Sequence, residues 1–185
     1  MTARKLFAAA FAALLFTASL PEGRAMAADP ENTLYLDLEW GRVVIAMRPD
    51  LAPNHVARIK ELTRQGFYDG LVFHRVIDGF MVQTGDPRGD GTGGSGRKLK
   101  AEFSNEPHVR GVVSMARARS PDSADSQFFI MLGDAPYLDG QYTVWGKVVE
   151  GMEFIDRIKK GTQPNGRVKD PDRIVRMRVA ADVTD

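Results

Sequence analysis

What constrains this chain most is its punctuation. From Thr33 onward, short apolar or alternating runs recur, and clusters of Gly, Pro and Asp separate them. Runs of that length bounded by turn formers read as strands, because a strand buries every second side chain and a turn must interrupt it. Thr33-Leu34-Tyr35-Leu36-Asp37-Leu38 alternates, Glu39 to Arg42 can turn, and Val43-Val44-Ile45-Ala46-Met47 is β-branched and apolar, so the pair reads as a hairpin ended by Pro49. Further strands are predicted over Leu71 to Ile77, Phe80 to Thr84, Val112 to Met115, Phe128 to Leu132, Thr143 to Val149 and Ile174 to Val179. Only two stretches carry helical spacing. One begins at Pro53, places Val56, Ile59 and Leu62 with Ala57 and Thr63 on one face, and stops at Gly66. The other covers Met152 to Lys159, with Phe154, Ile155 and Ile158 inward and Gly161 as its stop. About eight strands and two widely separated helices fit a closed antiparallel barrel or a sandwich, with the helices free to plug two open ends. No internal repeat or linker divides the chain, which reads as one domain over residues 29–185.

The N-terminus has a different chemistry. Arg4 and Lys5 precede an apolar stretch from Leu6 to Leu20, Pro21 to Gly23 break it, and Ala25-Met26-Ala27 supplies a small-x-small cleavage pattern. That apolar stretch is too short to span a bilayer comfortably, so residues 1–27 read as a signal peptide, and the expected location of the mature domain is the periplasm. Removing Arg4, Lys5, Arg24 and Glu22 with the leader takes the formal charge from +1 to −1. That balance gives no global basic field for nucleic acid, and no membrane association is expected beyond the leader. The sequence contains no cysteine, which excludes disulfides, thiol nucleophiles and thiolate metal sites. A monomer that needs no cofactor or metal is the expectation.

Two motif matches fail on context. Gly89-Asp90-Gly91-Thr92-Gly93-Gly94 fits a dinucleotide fingerprint, yet Ser95-Gly96-Arg97-Lys98-Leu99 does not open an amphipathic helix, so a tight loop is the better reading. Arg88-Gly89-Asp90 fits an adhesion tripeptide by chance. His55, His74 and His108 show no metal-ligand spacing. His55, early on a helix, is expected to be solvated. His74 is expected to be a hydrogen-bonded structural residue pointing away from Arg75. No G-x-S-x-G elbow accompanies the serines.

The informative segment is Phe73 to Gln83. It mixes a fixed cation, Arg75, with the amide Gln83 and the large apolar Phe80 and Met81. Alone, this is an ordinary strand with a solvated arginine. Ser126-Gln127-Phe128-Phe129-Ile130 adds a second strand on which Gln127 and Phe129 share a face. Polar and aromatic residues on one face suggest a groove with an apolar pocket and a polar arm, holding no group that must exchange a proton.

With these residues in place the sequence resembles the cyclophilin family. The resemblance runs from about Thr33 to the C-terminus. It is carried by Gly66-Phe67-Tyr68-Asp69-Gly70, Phe73-His74-Arg75-Val76-Ile77, Gly79-Phe80-Met81-Val82-Gln83-Thr84-Gly85-Asp86, Gly91-Thr92-Gly93-Gly94, Ser114-Met115-Ala116, Ser126-Gln127-Phe128-Phe129-Ile130 and Leu138-Asp139-Gly140. It implies an all-β dominated fold, an eight-stranded closed antiparallel β-barrel capped by two α-helices, and cis-trans isomerisation of X-Pro bonds in proline-containing polypeptides without a cofactor. Arg75 matches the family's catalytic arginine and Gln83 the residue that orients it. Phe80, Met81, Phe129 and Leu138 match the pocket for the proline ring. Ala116, Arg117, Gln127 and Gly91 match the groove for the residues before proline.

Three residues depart from the best-known members. Tyr137 stands in place of Trp, which implies weak cyclosporin binding. Tyr142 stands in place of His and Arg117 in place of Asn, both at the substrate-binding rim, and the loop from Arg119 to Asp125 is about one residue longer. A non-catalytic peptide-binding module or chaperone on the same fold is the competing reading; the intact set Arg75, Gln83, Phe80 and Phe129 favours the enzyme.

Overall fold

The computed structural model describes residues 29–184, and the predicted signal peptide lies outside them. All eight predicted strands form, and they share one antiparallel sheet. They are β1 (Thr33–Leu38), β2 (Gly41–Met47), β3 (Arg75–Ile77), β4 (Met81–Thr84), β5 (Val112–Met115), β6 (Phe128–Met131), β7 (Val144–Glu150) and β8 (Arg176–Val179), in the order β3-β4-β6-β5-β7-β2-β1-β8. The sheet curls around a core of Leu34, Leu36, Ile45, Val113, Ile130 and Trp145, all at most 1% exposed.

The closed barrel is not what the pairing shows. β3 and β8 are the two edges, and no ladder joins them, so the sheet is an open half-barrel. The seam is spanned instead by irregular chain. Phe73 N–H donates to Asp172 O at 2.9 Å, Gly70 N–H to Ile174 O at 2.8 Å, and isolated bridges pair Val72 with Arg173 and Arg75 with Arg167. This use of Leu71 to His74 is why β3 begins only at Arg75 and not at the predicted Leu71.

Helix α1 (Pro53–Arg64) packs against β8 and β7 and ends as predicted. Gly66 takes φ +69°, Gly66 N–H donates to Thr63 O at 3.0 Å and Phe67 N–H to Leu62 O at 3.0 Å, the paired bonds that close a helix on a left-handed glycine. Its buried face differs from the predicted one at three positions. Ala57 is exposed, while His55 and Arg58 are buried. His55 is fully enclosed, not solvated, and its Nδ1 lies 2.6 Å from Glu102 Oε2. The cap residue Ala52 has no side chain to accept the first amides of α1. Glu102 supplies the acceptors from a distant loop, taking Asn54 N–H at 3.1 Å and His55 N–H at 3.0 Å. Helix α2 (Met152–Asp156) packs against β2 and is shorter than its predicted span.

Candidate active site

Register builds the site. Arg75 on β3 stands directly opposite Gln83 on β4, Gln83 opposite Phe129 on β6, and Phe129 opposite Ser114 on β5. Directly opposed residues of antiparallel strands point to the same face, so this row crosses one surface of the sheet. Above it lies a cleft of about 560 Å³. Its lining includes Arg75, Phe80, Met81, Gln83, Gly91, Ala116, Arg117, Phe129, Tyr137, Leu138 and Tyr142. The structure thus brings together all but one of the predicted site residues. Gln127 lines an adjoining smaller cavity, which shares Gln83, Gly91, Ala116 and Arg117 with the main cleft.

One relay of polar groups connects the two cavities, and donor chemistry fixes its direction. Arg75 can only donate, and its Nη1 does so to Gln83 Oε1 at 3.0 Å. The Gln83 amide must then turn its nitrogen outward, and Nε2 donates to Gln127 Oε1 at 2.9 Å. Gln127 Nε2 donates onward to Gly93 O at 2.8 Å and Gly91 O at 3.1 Å. On the other side Arg75 Nε donates to Asn165 O at 2.8 Å. The guanidinium is therefore held in place by an amide and a carbonyl, with no carboxylate partner among the described residues. Burial lowers its pKa from the ordinary value, although a guanidinium stays charged throughout.

The apolar wall is shaped by aromatic contacts. The Phe129 and Tyr142 rings meet edge to face with centroids 5.8 Å apart, and Phe80 lies 6.0 Å from Tyr137. His108 supports Phe129 from below. Its Nδ1 lies 2.9 Å from Asp139 Oδ1 and its Nε2 3.1 Å from Ser114 Oγ. This Ser–His–Asp arrangement is no nucleophile system, because Ser114 is fully buried and its hydroxyl also lies 2.9 Å from Thr143 O. Arg117 does not reach into the cleft as a free cation. It donates to Gln141 O at 3.0 Å and to Ala118 O at 3.0 Å, and its guanidinium lies 4.6 Å from the centre of the Tyr142 ring. Ala116 N–H is bonded to Gln127 O and Ala118 N–H to Ser123 Oγ, which leaves the Arg117 N–H between them as the open backbone donor of this rim.

The glycine loop forms the remaining edge and is tied down by two carboxylates. Asp86, almost wholly buried, accepts from Arg88 N–H at 2.8 Å and Gly91 N–H at 2.6 Å. Asp125 accepts from Ser95 N–H at 2.7 Å, and a Cβ on Gly94 would approach its carboxylate to 2.8 Å, so no larger residue fits there. The loop is a backbone clamp and not a phosphate cradle.

His74, Gly89, Asp90, Asn165 and Arg167 also line the cleft and were not among the predicted residues. His74 precedes β3, so strand alternation does not turn it away from Arg75. Among the described residues neither of its ring nitrogens has a hydrogen-bond partner, against the prediction, and burial lowers its pKa. Asn165 and Arg167 come from the segment that spans the seam of the sheet. Their one local signal is the turn-forming pair Asn165-Gly166.

Comparison with known proteins shows the family. The family model described as cyclophilin type peptidyl-prolyl cis-trans isomerase matches residues 33–179. A probable peptidyl-prolyl cis-trans isomerase of Brucella suis is 55% identical over 190 residues, covering 96% of this chain and 95% of its own. Peptidyl-prolyl cis-trans isomerase B of Bacillus subtilis is 46% identical, over 70% of this chain and 92% of its own. Among solved structures, a cyclophilin from Hirschia baltica superposes with TM-score 0.76 at 28% identity, covering 85% of this chain and 77% of that one. A cyclophilin type isomerase of Cryptosporidium parvum, solved in the presence of the dipeptide Ala-Pro, gives TM-score 0.72 at 28% identity, over 80% of this chain and 98% of that one. The chain belongs to the cyclophilin-type peptidyl-prolyl cis-trans isomerase family, and its activity is isomerisation of the peptide bond before proline.

Proposed function

We propose that the cleft around Arg75 is the catalytic site, that Phe80, Met81, Phe129 and Leu138 hold the proline ring, and that the residues before proline lie along Ala116, Arg117, Gln127 and Gly91. Rotation about a peptide bond is opposed by resonance, with a barrier of about 18–20 kcal/mol. For X-Pro bonds the two planar forms differ by only about 0.5–1 kcal/mol, so both are populated and their exchange is slow. A catalyst must therefore favour the twisted amide over either planar form. As resonance breaks, the proline nitrogen becomes pyramidal and regains a lone pair. The Arg75 guanidinium is a fixed donor for that lone pair. Gln83 and Asn165 hold it before substrate arrives, so little reorganisation accompanies the twist. The apolar pocket fixes the ring while the preceding carbonyl swings toward the open Arg117 N–H. No proton leaves or joins the enzyme in this scheme.

The observation that carries the proposal is the orientation of Arg75: two hydrogen bonds fix it, and no carboxylate among the described residues neutralises it. The test is isomerisation of a proline test peptide by residues 28–185 and by the Arg75→Ala variant. Removing one preorganised donor at a developing charge costs about 10²–10³ in rate, and a loss of that order is expected here. Equal rates for the two proteins overturn the assignment.

The predicted leader supports action on exported polypeptides in the periplasm. Mass spectrometry of the mature N-terminus in a periplasmic fraction tests this: a start near Ala28 is expected, and an intact Met1 in the cytoplasm overturns it.

A further inference from the structure

The cleft holds three guanidiniums, of Arg75, Arg117 and Arg167, against one lining carboxylate, Asp90. None of the three is ion-paired among the described residues, although Arg42, Arg48, Arg64 and Arg110 elsewhere all are. Two of the three have their donors engaged. Arg75 is bonded to Gln83 and Asn165, and Arg117 faces the carbonyls of Gln141, Ala118 and Arg119. Asp90 is also engaged, since its carboxylate accepts from the amide and hydroxyl of Thr92. Arg167 differs. It is exposed, and its guanidinium makes no hydrogen bond among the described residues.

Its position in the fold is also defined. Arg167 stands directly opposite Arg75 across an isolated antiparallel bridge, so the two side chains leave the same face. The row across the sheet runs Arg167, Arg75, Gln83, Phe129, so Arg167 lies on the side of Arg75 away from Gln127 and the glycine loop.

We propose that Arg167 is a specificity residue: it recognises a carboxylate side chain, Asp or Glu, on the residue that follows proline in the substrate. This rests on the reading of Arg75 and of the groove for the residues before proline. If those residues lie beside Gln127, the chain leaving the proline pocket passes Arg75 toward Arg167. An incoming carboxylate meets a donor fork with all its N–H groups available.

The test uses three peptides that differ only after proline, with Glu, Gln or Lys there. kcat/KM and Kd are measured for each at low and high salt. For an exposed pair the Glu peptide should exceed the Lys peptide by about fivefold at low salt, and the gap should shrink as salt rises. Arg167→Ala should bring the two within about twofold, Arg167→Lys should retain most of the preference, and Arg167→Glu should reverse it. Equal values for Glu and Lys peptides with the unmodified protein overturn the proposal, as does a preference that survives Arg167→Ala intact. The two readings fail separately. Loss of turnover on all three peptides would defeat the catalytic assignment, while the ratio of Kd values would still decide the role of Arg167.

Discussion

Along β4, β5, β6 and the first half of β7 both faces are largely buried, and the two faces are used differently. Val82, Val113, Phe128, Ile130 and Trp145 point into the curled sheet, whereas Met81, Val112, Phe129, Met131 and Val144 point the other way, under the cleft. The inner face is filled. Tyr68, Phe128 and Trp145 interlock edge to face, with centroids 5.6 and 5.4 Å apart. On the outer face Phe129 meets His108 and Tyr142 but leaves one side open to the cleft. Neighbouring residues such as Phe128 and Phe129 therefore have the same chemistry and separate tasks. A strand's period of two is enough to divide stability from function within one segment.

Truncating one residue on each face is the strongest way to break this comparison. Phe128→Ala should lose about 3–5 kcal/mol of unfolding free energy, because it opens a cavity inside a closed core. The fraction that remains folded should keep its turnover. Phe129→Ala removes the same atoms from a wall already open to the cleft, so its stability loss should be smaller, about 1–3 kcal/mol, while kcat/KM falls by tenfold or more. Denaturant unfolding and peptide isomerisation on both variants decide it. Equal stability losses with equal turnover would show that the faces are not separable.

The sequence makes this alternation visible, because it is local. Leu34, Leu36 and Leu38 or Phe128 and Ile130 declare their faces by spacing alone. Of the relay from Arg75 to the glycine loop only the Arg75–Gln83 step was legible, through the resemblance, since nothing local says that Gln83 and Gln127, 44 positions apart, share a hydrogen bond. What escaped was set by distant chain. His55 resembles any polar residue in a first helical turn, and only Glu102, 47 positions away, encloses it. Leu71 to His74 has the composition of a strand, yet its partner is the irregular segment around Asp172. Arg167 follows a turn in a polar stretch, and only the bridge to Arg75 brings it to the cleft.

Glu102 ties its loop to the first turn of α1, and its loss should have an intermediate effect. Burial raises its pKa, but the hydrogen bonds from His55 and Asn54 outweigh this, and the net direction is downward from the ordinary 4.5. A carboxyl with a depressed folded value binds protons more readily when unfolded, so its stabilisation is complete above about pH 4.5 and is lost as pH falls through the folded value. Glu102→Gln should cost about 1–2 kcal/mol at neutral pH, as for a lost charged helix cap, and should flatten the acid limb of the stability curve. An unfolding series from pH 7 to 3 checks this; an unchanged acid limb in the variant would assign the acid sensitivity to other carboxylates, such as Asp125.

The smallest expected effect lies at the exposed end of the outer face. Tyr137 is 63% exposed, and its ring rests 6.0 Å from Phe80 at a tilted angle. An aromatic pair of this kind is worth about 0.5–1.5 kcal/mol beyond simple burial, and solvent exposure places this one at the lower end. Tyr137→Ala should leave unfolding free energy within about 0.5 kcal/mol of the parent, as for other surface changes. Its cost should appear in KM, because the Phe80 ring loses the neighbour that limits its motion over the cleft. A rise in KM of about two- to threefold with kcat nearly constant is expected, since a binding wall acts on ground and twisted states alike. A fall in kcat with KM unchanged would instead mean that Tyr137 touches the twisted amide, and the outer face would then carry catalysis further from Arg75 than the row of cross-strand neighbours implies.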